Sequence, residues 1–573
     1  MKLYAISATL LVALALVPLR QAQGDTVEAH GNTTGGYQID LTQYFASPEA
    51  EIQSRKTILK DAEAFAASST PRSAAALLRW LQQYDALLKS LERHDIYVYL
   101  RAEEDDRDVT DAKADDTLGQ AENSIDGRIV EAARELGAAR IATLTRSSSL
   151  APYRYLLMHS LAQGAHRLNA AEARSVAVAV TPVLDSAAAT YKQLRKSGAA
   201  IESNQSAYAA LLVSIASARN GVAKLRGFDG AAAASYFDKS IDPASVERTL
   251  QAVRASSAYA NYLTVAAKAP KPEFEPARLA ISEALPLILA AEQPMGPQYA
   301  AAYEQLLDPA NRRLELCTAP QCDDAGFSVG FAGLESGVFY GGYDGMVHSV
   351  RAVAHESGHA VHREFMSRYQ PIAAYNRGPS FMFESFAIFN ELLFLNHLYQ
   401  QAPNDRQRAY YLNYFLDDAA FQVFGSAEET ELESAIYRGV DDGTIRTAAD
   451  LDALATKVFS RYDTLSANSP ASQLYWARDR LFFTDPLYDV NYLYAGLLAL
   501  KYFTDLERDS RTFSAGYVAL LRNGFDDSPA ALERRFLGID LSDEQALVAN
   551  AAGLIGLRTR LLAKLYSDGA ATR

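Results

Sequence analysis

The feature that most constrains the fold is the spacing of apolar residues between about Leu41 and Ala290. Apolar side chains recur there every three or four residues, as in Ala75, Leu78 and Leu81, within a background rich in Ala, Leu, Glu, Arg and Gln. This spacing gathers apolar side chains on one face of a helix, and Gly or Pro residues separate the segments. The sequence therefore predicts a mostly α protein whose first half is a helical scaffold.

A change of composition between Pro294 and Gly345 interrupts the helical pattern. Residues 326–345 read GFSVGFAGLESGVFYGGYDG, where short aromatic and β-branched runs are separated by glycines. Such runs are typical of short strands. Helical spacing then resumes and continues to the C-terminus. We predict an N-terminal helical domain over 25–293 and a second helical domain over 294–573, with a small sheet near 326–345.

The first residues have the features of an export signal. Lys2 precedes an apolar run that extends to Leu19, and the small residues Ala22 and Gly24 fit a cleavage site. A single membrane anchor is the alternative, but the run is short for a span and no cluster of basic residues follows it to stop its transfer. We predict that residues 1–24 are a signal peptide. The mature protein is expected to be exported, periplasmic or secreted, without a membrane anchor.

The charge balance excludes one class of partner. The chain has 55 Lys and Arg residues against 69 Asp and Glu residues, a formal net charge of -14. An acidic chain without basic clusters is poorly suited to phosphate backbones. We expect no nucleic-acid partner.

The two cysteines of the chain, Cys317 and Cys322, lie close together in LCTAPQCDD. In an oxidising compartment this pair favours a small local disulfide, and two unpaired thiols are the alternative. A zinc ribbon would need a second cysteine pair.

The segment RAVAHESGHAVHREF, residues 351–365, carries the strongest chemical signal. His355 and His359 lie one helical turn apart, so both imidazoles can reach one zinc ion, which prefers nitrogen ligands. Glu356 projects about 100° around the helix from His355. Its carboxylate can therefore lie beside the open metal position, take a proton from water and return it to a leaving amine. Gly358 costs about 1 kcal/mol against Ala inside a helix, which indicates that another element approaches closely there.

The histidine pair could instead be two ordinary helix histidines. The neighbouring Val350, Val353 and Ala354 predict a partly buried helix, however, and burying two histidines and a carboxylate without a metal would be costly. We therefore predict one zinc ion per chain.

The next helical segment, residues 379–399, offers a third ligand. Glu384 is flanked there by phenylalanines, and a carboxylate in such surroundings needs a partner such as a metal. Glu391 lies two turns further on the same face, about 10.5 Å along the axis, too far to bind the same ion but able to hold a histidine N–H. A solvated or ion-paired Glu391 is the alternative. The remaining nearby histidines are interpreted as packing or structural residues: His348, His362 and His397.

These residues resemble peptidase family M3, the group of thimet oligopeptidase and oligoendopeptidase F. HESGHAVH is followed at the family spacing by ESFAIFNE. The resemblance implies that His355, His359 and Glu384 bind zinc and that Glu356 is the general base. It also implies an elongated helical peptidase with a small β element beside the active-site helix and a deep channel that admits short peptides.

A later segment, RDRLFFTDPLYDVNYLYAG at 478–496, is similar to the tyrosine-bearing part of the same family. The resemblance implies that Tyr488 and Tyr492 face the substrate, where a phenol can donate to the oxyanion formed from the peptide carbonyl. Family members usually have a histidine a few residues before these tyrosines, and this chain has Arg, Leu, Phe and Phe at 480–483. Without this histidine, we expect substrate placement or oxyanion stabilisation to differ from that of the family.

The resemblance predicts a zinc-dependent oligopeptidase that cuts internal bonds of short peptides. Two other functions are considered. A dipeptidyl carboxypeptidase of the angiotensin-converting-enzyme type also joins HExxH to a distant glutamate, although the interval between Glu384 and Glu391 favours family M3. A non-catalytic zinc-containing peptide-binding protein would explain the missing histidine, and the intact Glu356 argues against it. The sequence leaves the oligomeric state open.

Overall fold

The computed structural model describes residues 37–104, 109–270, 274–317, 326–462 and 469–571. The predicted signal peptide lies outside the described residues, and so does the predicted disulfide, which needs Cys322. Export and the disulfide therefore stay predictions.

The N-terminal part is helical throughout its described residues, as predicted from the apolar spacing. Its helices are α1 Pro48–Ala66, α2 Ala74–Glu104, α3 Val109–Leu144, α4 Arg154–Gly164, α5 Ala170–Ala179, α6 Thr181–Lys196, α7 Gln205–Leu225, α8 Ala231–Asp238, α9 Pro243–Arg254, α10 Ala258–Ala266 and α11 Ile281–Ala291.

The C-terminal part has one small sheet and is otherwise helical. Its elements are α12 Pro297–Leu307, β1 Leu314–Cys317, β2 Gly326–Val329, β3 Gly337–Gly341, α13 Val347–Tyr369, α14 Ser380–Gln401, α15 Asp405–Ala420, α16 Ser426–Asp442, α17 Ala448–Phe459, α18 Pro470–Gln473, α19 Tyr475–Arg478, α20 Leu481–Thr484, α21 Asp489–Arg508, α22 Ser510–Asn523, α23 Pro529–Leu537 and α24 Glu544–Ala571. A π-helical turn, Phe421–Gly425, joins α15 to α16.

The small sheet lies directly before α13 in the chain. Its strand order is β1-β3-β2, with β1 parallel and β2 antiparallel to β3. β2 and β3 confirm the sheet predicted near 326–345. β1 was not predicted. Its four residues show no local strand pattern, and its partner β3 follows only after β2 in the sequence.

The buried side chains form a large central cluster around α13, α14 and α21, which includes residues of α8–α11. A second cluster joins α1–α4 to one face of the sheet, and a third joins α6 and α7 to α16, α17 and α19. Helices on both sides of residue 293 thus share apolar cores. The domain boundary there stays a prediction.

By length and composition, one helix of the described residues could cross a membrane, Glu544–Asp568 within α24. In the structure it packs against α9, α10, α15 and α21.

Gly358 marks the closest approach of α13 to α14, as the sequence indicated. A Cβ atom on Gly358 would lie 2.6 Å from Nδ2 of Asn390 and 3.1 Å from Cα of Ala387. Asn390 is itself held, since it accepts hydrogen bonds from Tyr299 at 3.0 Å and Tyr303 at 2.7 Å. The absent side chain therefore lets the two helices cross closely.

We expect Gly358→Ala to destabilise the protein by about 1–3 kcal/mol, because the added methyl group overpacks the crossing of α13 and α14. Chemical denaturation measures this difference. Gly221→Ala is the matched control, since Gly221 also lies inside a helix and has nothing within 4 Å of the added Cβ. The control should gain about 1 kcal/mol from helix propensity, and equal effects at both positions would contradict the tight crossing.

Candidate metal and catalytic site

The two histidines of the site lie on one buried face of α13. The side chains of His355, Glu356 and His359 are all buried. The imidazole centroids of His355 and His359 are 4.8 Å apart, with their planes at 84°. The one-turn spacing therefore brings both rings to one point, as predicted.

Glu384 approaches this histidine pair from α14 and is fully buried. Its Oε2 lies 3.4 Å from Nε2 of His355 and 3.7 Å from Nε2 of His359. One ligand atom from each of the three residues falls within 4.8 Å of the other two. The structure thus assembles the three predicted ligands around a common centre.

The polar atoms that face this centre fit a metal ion. Oε2 of Glu384 and both ring nitrogens of His359 are buried without a hydrogen-bond partner. Unpartnered buried polar atoms are costly, and a cation held by two imidazoles and one carboxylate would satisfy Oε2 of Glu384 and one of the two ring nitrogens of His359. This donor set, with a fourth position left open, suits a catalytic zinc ion.

The charges of the site also suit a cation. Burial lowers the pKa of His359 to about 4, so its ring is neutral at pH 7 and can act as a ligand. Burial opposes ionisation of Glu384, but the two facing imidazoles hold the pKa of its carboxyl well below the usual range. Burial likewise opposes protonation of His355. The carboxylates of Glu391 and Glu384 have a larger, opposite effect and hold the pKa of His355 well above the usual range.

Glu391 has the predicted supporting role. One of its carboxylate oxygens is hydrogen-bonded to Nδ1 of His355, which leaves Nε2 of that ring toward Glu384. The other oxygen accepts from Arg351 at 2.5 Å, and Arg351 also pairs with Asp418 on α15. This buried network fixes the orientation of the His355 ring, and contacts of this kind raise the affinity of a histidine for a metal.

We expect Glu391→Gln to weaken zinc binding by about 10–100-fold, because the amide cannot supply the charge that holds His355 and Arg351. Competition with a chromophoric chelator measures the affinity. Glu304→Gln, an exposed change on α12, is the matched control. Unchanged affinity in the Glu391 variant would assign this network to stability alone.

Glu356 lies beside the ligand group, as predicted, and its Oε2 is buried without a hydrogen-bond partner. Burial raises the pKa of Glu356 to about 8, against the opposing charge of His355. A Cβ atom on Gly326, the first residue of β2, would lie 3.2 Å from Oε1 of Glu356. The strand backbone therefore closes one side of this carboxylate. The glycine-rich run before α13 was the available signal for this contact.

The two predicted tyrosines lie near Glu384. The hydroxyl of Tyr488 donates to Oε1 of Glu384 at 2.8 Å. The ring of Tyr492 packs against Tyr488 at 5.4 Å, and burial together with the charges of Glu384 and Glu356 raises the pKa of its phenol well above the usual range. The neighbouring Tyr494 is turned elsewhere and donates to Ser245 on α9 at 2.9 Å.

The segment that departs from the family pattern packs as core. Phe482 and Phe483 are buried, and Phe483 stacks on Tyr191 of α6 at 4.1 Å. The positions where a histidine would be expected therefore contribute to the third apolar cluster.

The remaining histidines of α13 and α14 take no part in the ligand group. His362 is buried against the rings of Phe383 and Phe386, which confirms a packing role. His348 is exposed, and His397 is half-buried.

A cavity of about 410 Å³ lies between α2–α4 and the paired helices α13 and α14. Its lining includes Arg363, one turn beyond His359, and Phe383, which precedes Glu384, as well as Glu92 and Glu122. Arg363 donates to Ser328 of β2 at 3.0 Å, and its charge acts on Glu356. Sequence reasoning missed Arg363, although it lies one turn beyond His359.

Comparison with known proteins identifies the same region. Residues 346–552, which hold α13, α14 and α21, match the family described as peptidase family M3. The plasmid oligoendopeptidase F of Lactococcus lactis subsp. cremoris is 27% identical over 221 residues, 38% of this chain and 36% of that protein. Oligopeptidase PepF of Bacillus subtilis is 22% identical over 275 residues, 48% of this chain and 40% of that protein. The matches thus span well under half the length of these relatives.

The fold extends the likeness to most of the chain. The crystal structure of oligoendopeptidase-F from Enterococcus faecium superposes with a TM-score of 0.60 and 17% identity, covering 92% of this chain and 100% of that one. At this identity the superposition concerns the fold alone. Residues 346–552 of the chain thus match peptidase family M3, and its helical fold is similar to that of a solved oligoendopeptidase-F.

Proposed function

We propose that the protein is a zinc-dependent oligopeptidase that hydrolyses internal bonds of short peptides. The observation that carries this proposal is the convergence of His355, His359 and Glu384 on one point, with the unpartnered Oε2 of Glu356 beside it. The match of residues 346–552 to peptidase family M3 supports the reaction class. The zinc ion, the general base and the peptide length are the proposed details.

His355, His359 and Glu384 would hold the zinc ion. When bound there, zinc supplies Lewis-acid activation of water and of the peptide carbonyl. Glu391 and Tyr488 orient two of these ligands through their contacts with His355 and Glu384.

Glu356 moves the proton in this proposal. Its free oxygen accepts a proton from the attacking water, and the same carboxyl group then protonates the leaving amine. The adjacent strand β2 shields Glu356 from bulk water, since a Cβ atom on Gly326 would lie 3.2 Å from Oε1 of Glu356. Burial raises the pKa of this carboxyl group, so it takes up a proton more readily than an exposed carboxylate does.

Tyr492 is the better placed of the two tyrosines to stabilise the oxyanion. The Tyr488 hydroxyl is engaged with Glu384, whereas among the described residues no partner holds the hydroxyl of Tyr492. A phenol in this position can donate to the negative charge that develops on the carbonyl oxygen.

We expect Tyr492→Phe to lower kcat by about 100-fold while zinc content stays at one ion per chain, because only an oxyanion donor is lost. Tyr488→Phe should instead weaken zinc binding as well, since Glu384 loses its hydrogen bond. Tyr494→Phe serves as the matched control, because the hydroxyl of Tyr494 donates to Ser245 on α9 and not to the ligand group. Equal kcat values for Tyr492→Phe and the control would remove Tyr492 from the mechanism.

The buried position of the site supports short peptides as substrates. The ligand group lies below the protein surface, on helices that border a cavity of about 410 Å³, and a folded protein cannot deliver its backbone to such a place. An extended peptide can enter between the N-terminal helices and α13.

Hydrolysis of a quenched ten-residue peptide tests the proposal. Activity should disappear on chelation and return when zinc is added, while a folded protein of similar composition should remain uncut. Mass spectrometry of the products distinguishes internal cleavage from the release of C-terminal dipeptides. Stepwise release of dipeptides would favour the carboxypeptidase alternative, and zinc binding without any turnover would favour the peptide-binding alternative.

A further inference from the structure

A cluster of three carboxylates includes two residues of the tyrosine-bearing segment 478–496. It consists of Glu429 on α16, Asp479 after α19 and Asp489, the first residue of α21. One oxygen from each residue lies within 4.8 Å of the other two. Glu429 is 5% exposed and Asp489 is 1% exposed. Asp479 is half-buried, so two of the three carboxylates are held out of water and the third is partly exposed.

The structure gives this cluster little compensation for its charge. Within the described ranges, none of the three carboxylates forms an ion pair. The charge of Arg480 acts on Asp479 and Asp489, but its guanidinium pairs with Asp485 at 3.9 Å. Tyr475 donates to Glu429, and the backbone of Leu481 donates to Asp479 at 2.8 Å.

One atom of the cluster has no partner at all. Oδ2 of Asp489 is buried and accepts no hydrogen bond. A further buried carboxylate, Glu433, acts on both Glu429 and Asp489, while Lys239 and Arg219 face Glu433. Burial, together with repulsion among these carboxylates, raises the pKa of Glu429 and of Asp489 well above the usual range. Such an arrangement is costly unless a cation or protons neutralise it.

We propose that Glu429, Asp479 and Asp489 bind a hard divalent cation, with Ca²⁺ as the best fit. Oxygen ligands around Ca²⁺ lie about 2.3–2.6 Å from the ion, so two of them can be about 4.8 Å apart on opposite sides. The three carboxylate oxygens lie within this distance of one another. An all-carboxylate set without imidazole or thiolate favours such a hard ion over zinc.

The position of the cluster gives the cation a structural consequence. It would join α16 and the segment after α19 to the start of α21. Asp489 directly follows Tyr488, whose hydroxyl holds Glu384. The site would therefore anchor segment 478–496, which carries Tyr488. The cation site does not depend on the proposed peptidase activity.

Thermal unfolding of the full chain, loaded with one equivalent of zinc, tests the site. Added Ca²⁺ should raise Tm by about 2 °C when its free concentration exceeds the Kd a hundredfold. Asp479→Asn should abolish this shift, and without added cation it should melt above the wild type because repulsion is relieved. Asp485→Asn is the matched control, since Asp485 lies in the same segment outside the cluster and should keep the full shift.

Terbium luminescence supplies a second readout that needs no variant. The phenol of Tyr475 contacts Glu429, so Tb³⁺ bound in the cluster should be sensitised by excitation of tyrosine and displaced by Ca²⁺. A Ca²⁺ shift of equal size in Asp479→Asn would overturn the proposal. So would an unchanged Tm in the wild type together with no sensitised emission, which would leave shared protons as the neutralising charge.

Discussion

Glu356→Gln is expected to keep one zinc ion per chain and to lose about 10²–10⁴-fold in kcat, the range that removal of a proton-transferring group produces. The amide is nearly the same size as the carboxylate, so the packing against Gly326 and β2 should be preserved. It cannot accept the proton of the attacking water. Turnover of the quenched peptide and metal analysis of the same preparation measure the two quantities.

The informative result for Glu356 is the separation of activity from metal binding. Thermal unfolding of the zinc-loaded variant should match that of the wild type, because the metal ligands are intact. A kcat within about tenfold of the wild type would remove Glu356 from proton transfer. Loss of zinc together with activity would make it part of the metal site instead.

His359→Ala is expected to lose both the metal and the activity. His359 supplies one of three side-chain ligands, and both of its ring nitrogens face no other partner in the structure. Removing it leaves two ligands, too few for a stable catalytic zinc site. Zinc content should fall from one per chain to near zero after dialysis, and peptide hydrolysis should fall below detection.

His348→Ala is the matched control for this variant. His348 lies on the same helix but is exposed, outside the ligand group. Its replacement should leave zinc content and turnover unchanged. Full zinc content in His359→Ala would reject His359 as a ligand.

The sequence was sufficient for features that depend on local geometry. The helical class followed from apolar spacing, and the joint approach of His355 and His359 followed from their one-turn separation. Gly358 correctly indicated a close helix crossing, which is the crossing that brings Glu384 to the histidines. Strands β2 and β3 followed from the glycine-separated aromatic runs.

Features that depend on distant parts of the chain could not be predicted in the same way. Strand β1 exists through its pairing with β3, and Asp418 reaches Arg351 only because α15 packs beside α14. The carboxylates of Glu429, Asp479 and Asp489 come from three separate elements with no spacing that links them. Such contacts are set by tertiary packing, for which a single sequence carries no periodic signal.

Metal titration of the zinc-free protein tests the central claim most directly. Zinc is added stepwise, and bound zinc and peptide hydrolysis are measured on the same samples. The account predicts that hydrolysis rises in proportion to bound zinc and reaches its maximum at one ion per chain. Hydrolysis by the zinc-free protein, or one bound zinc without hydrolysis of any short peptide, would contradict it.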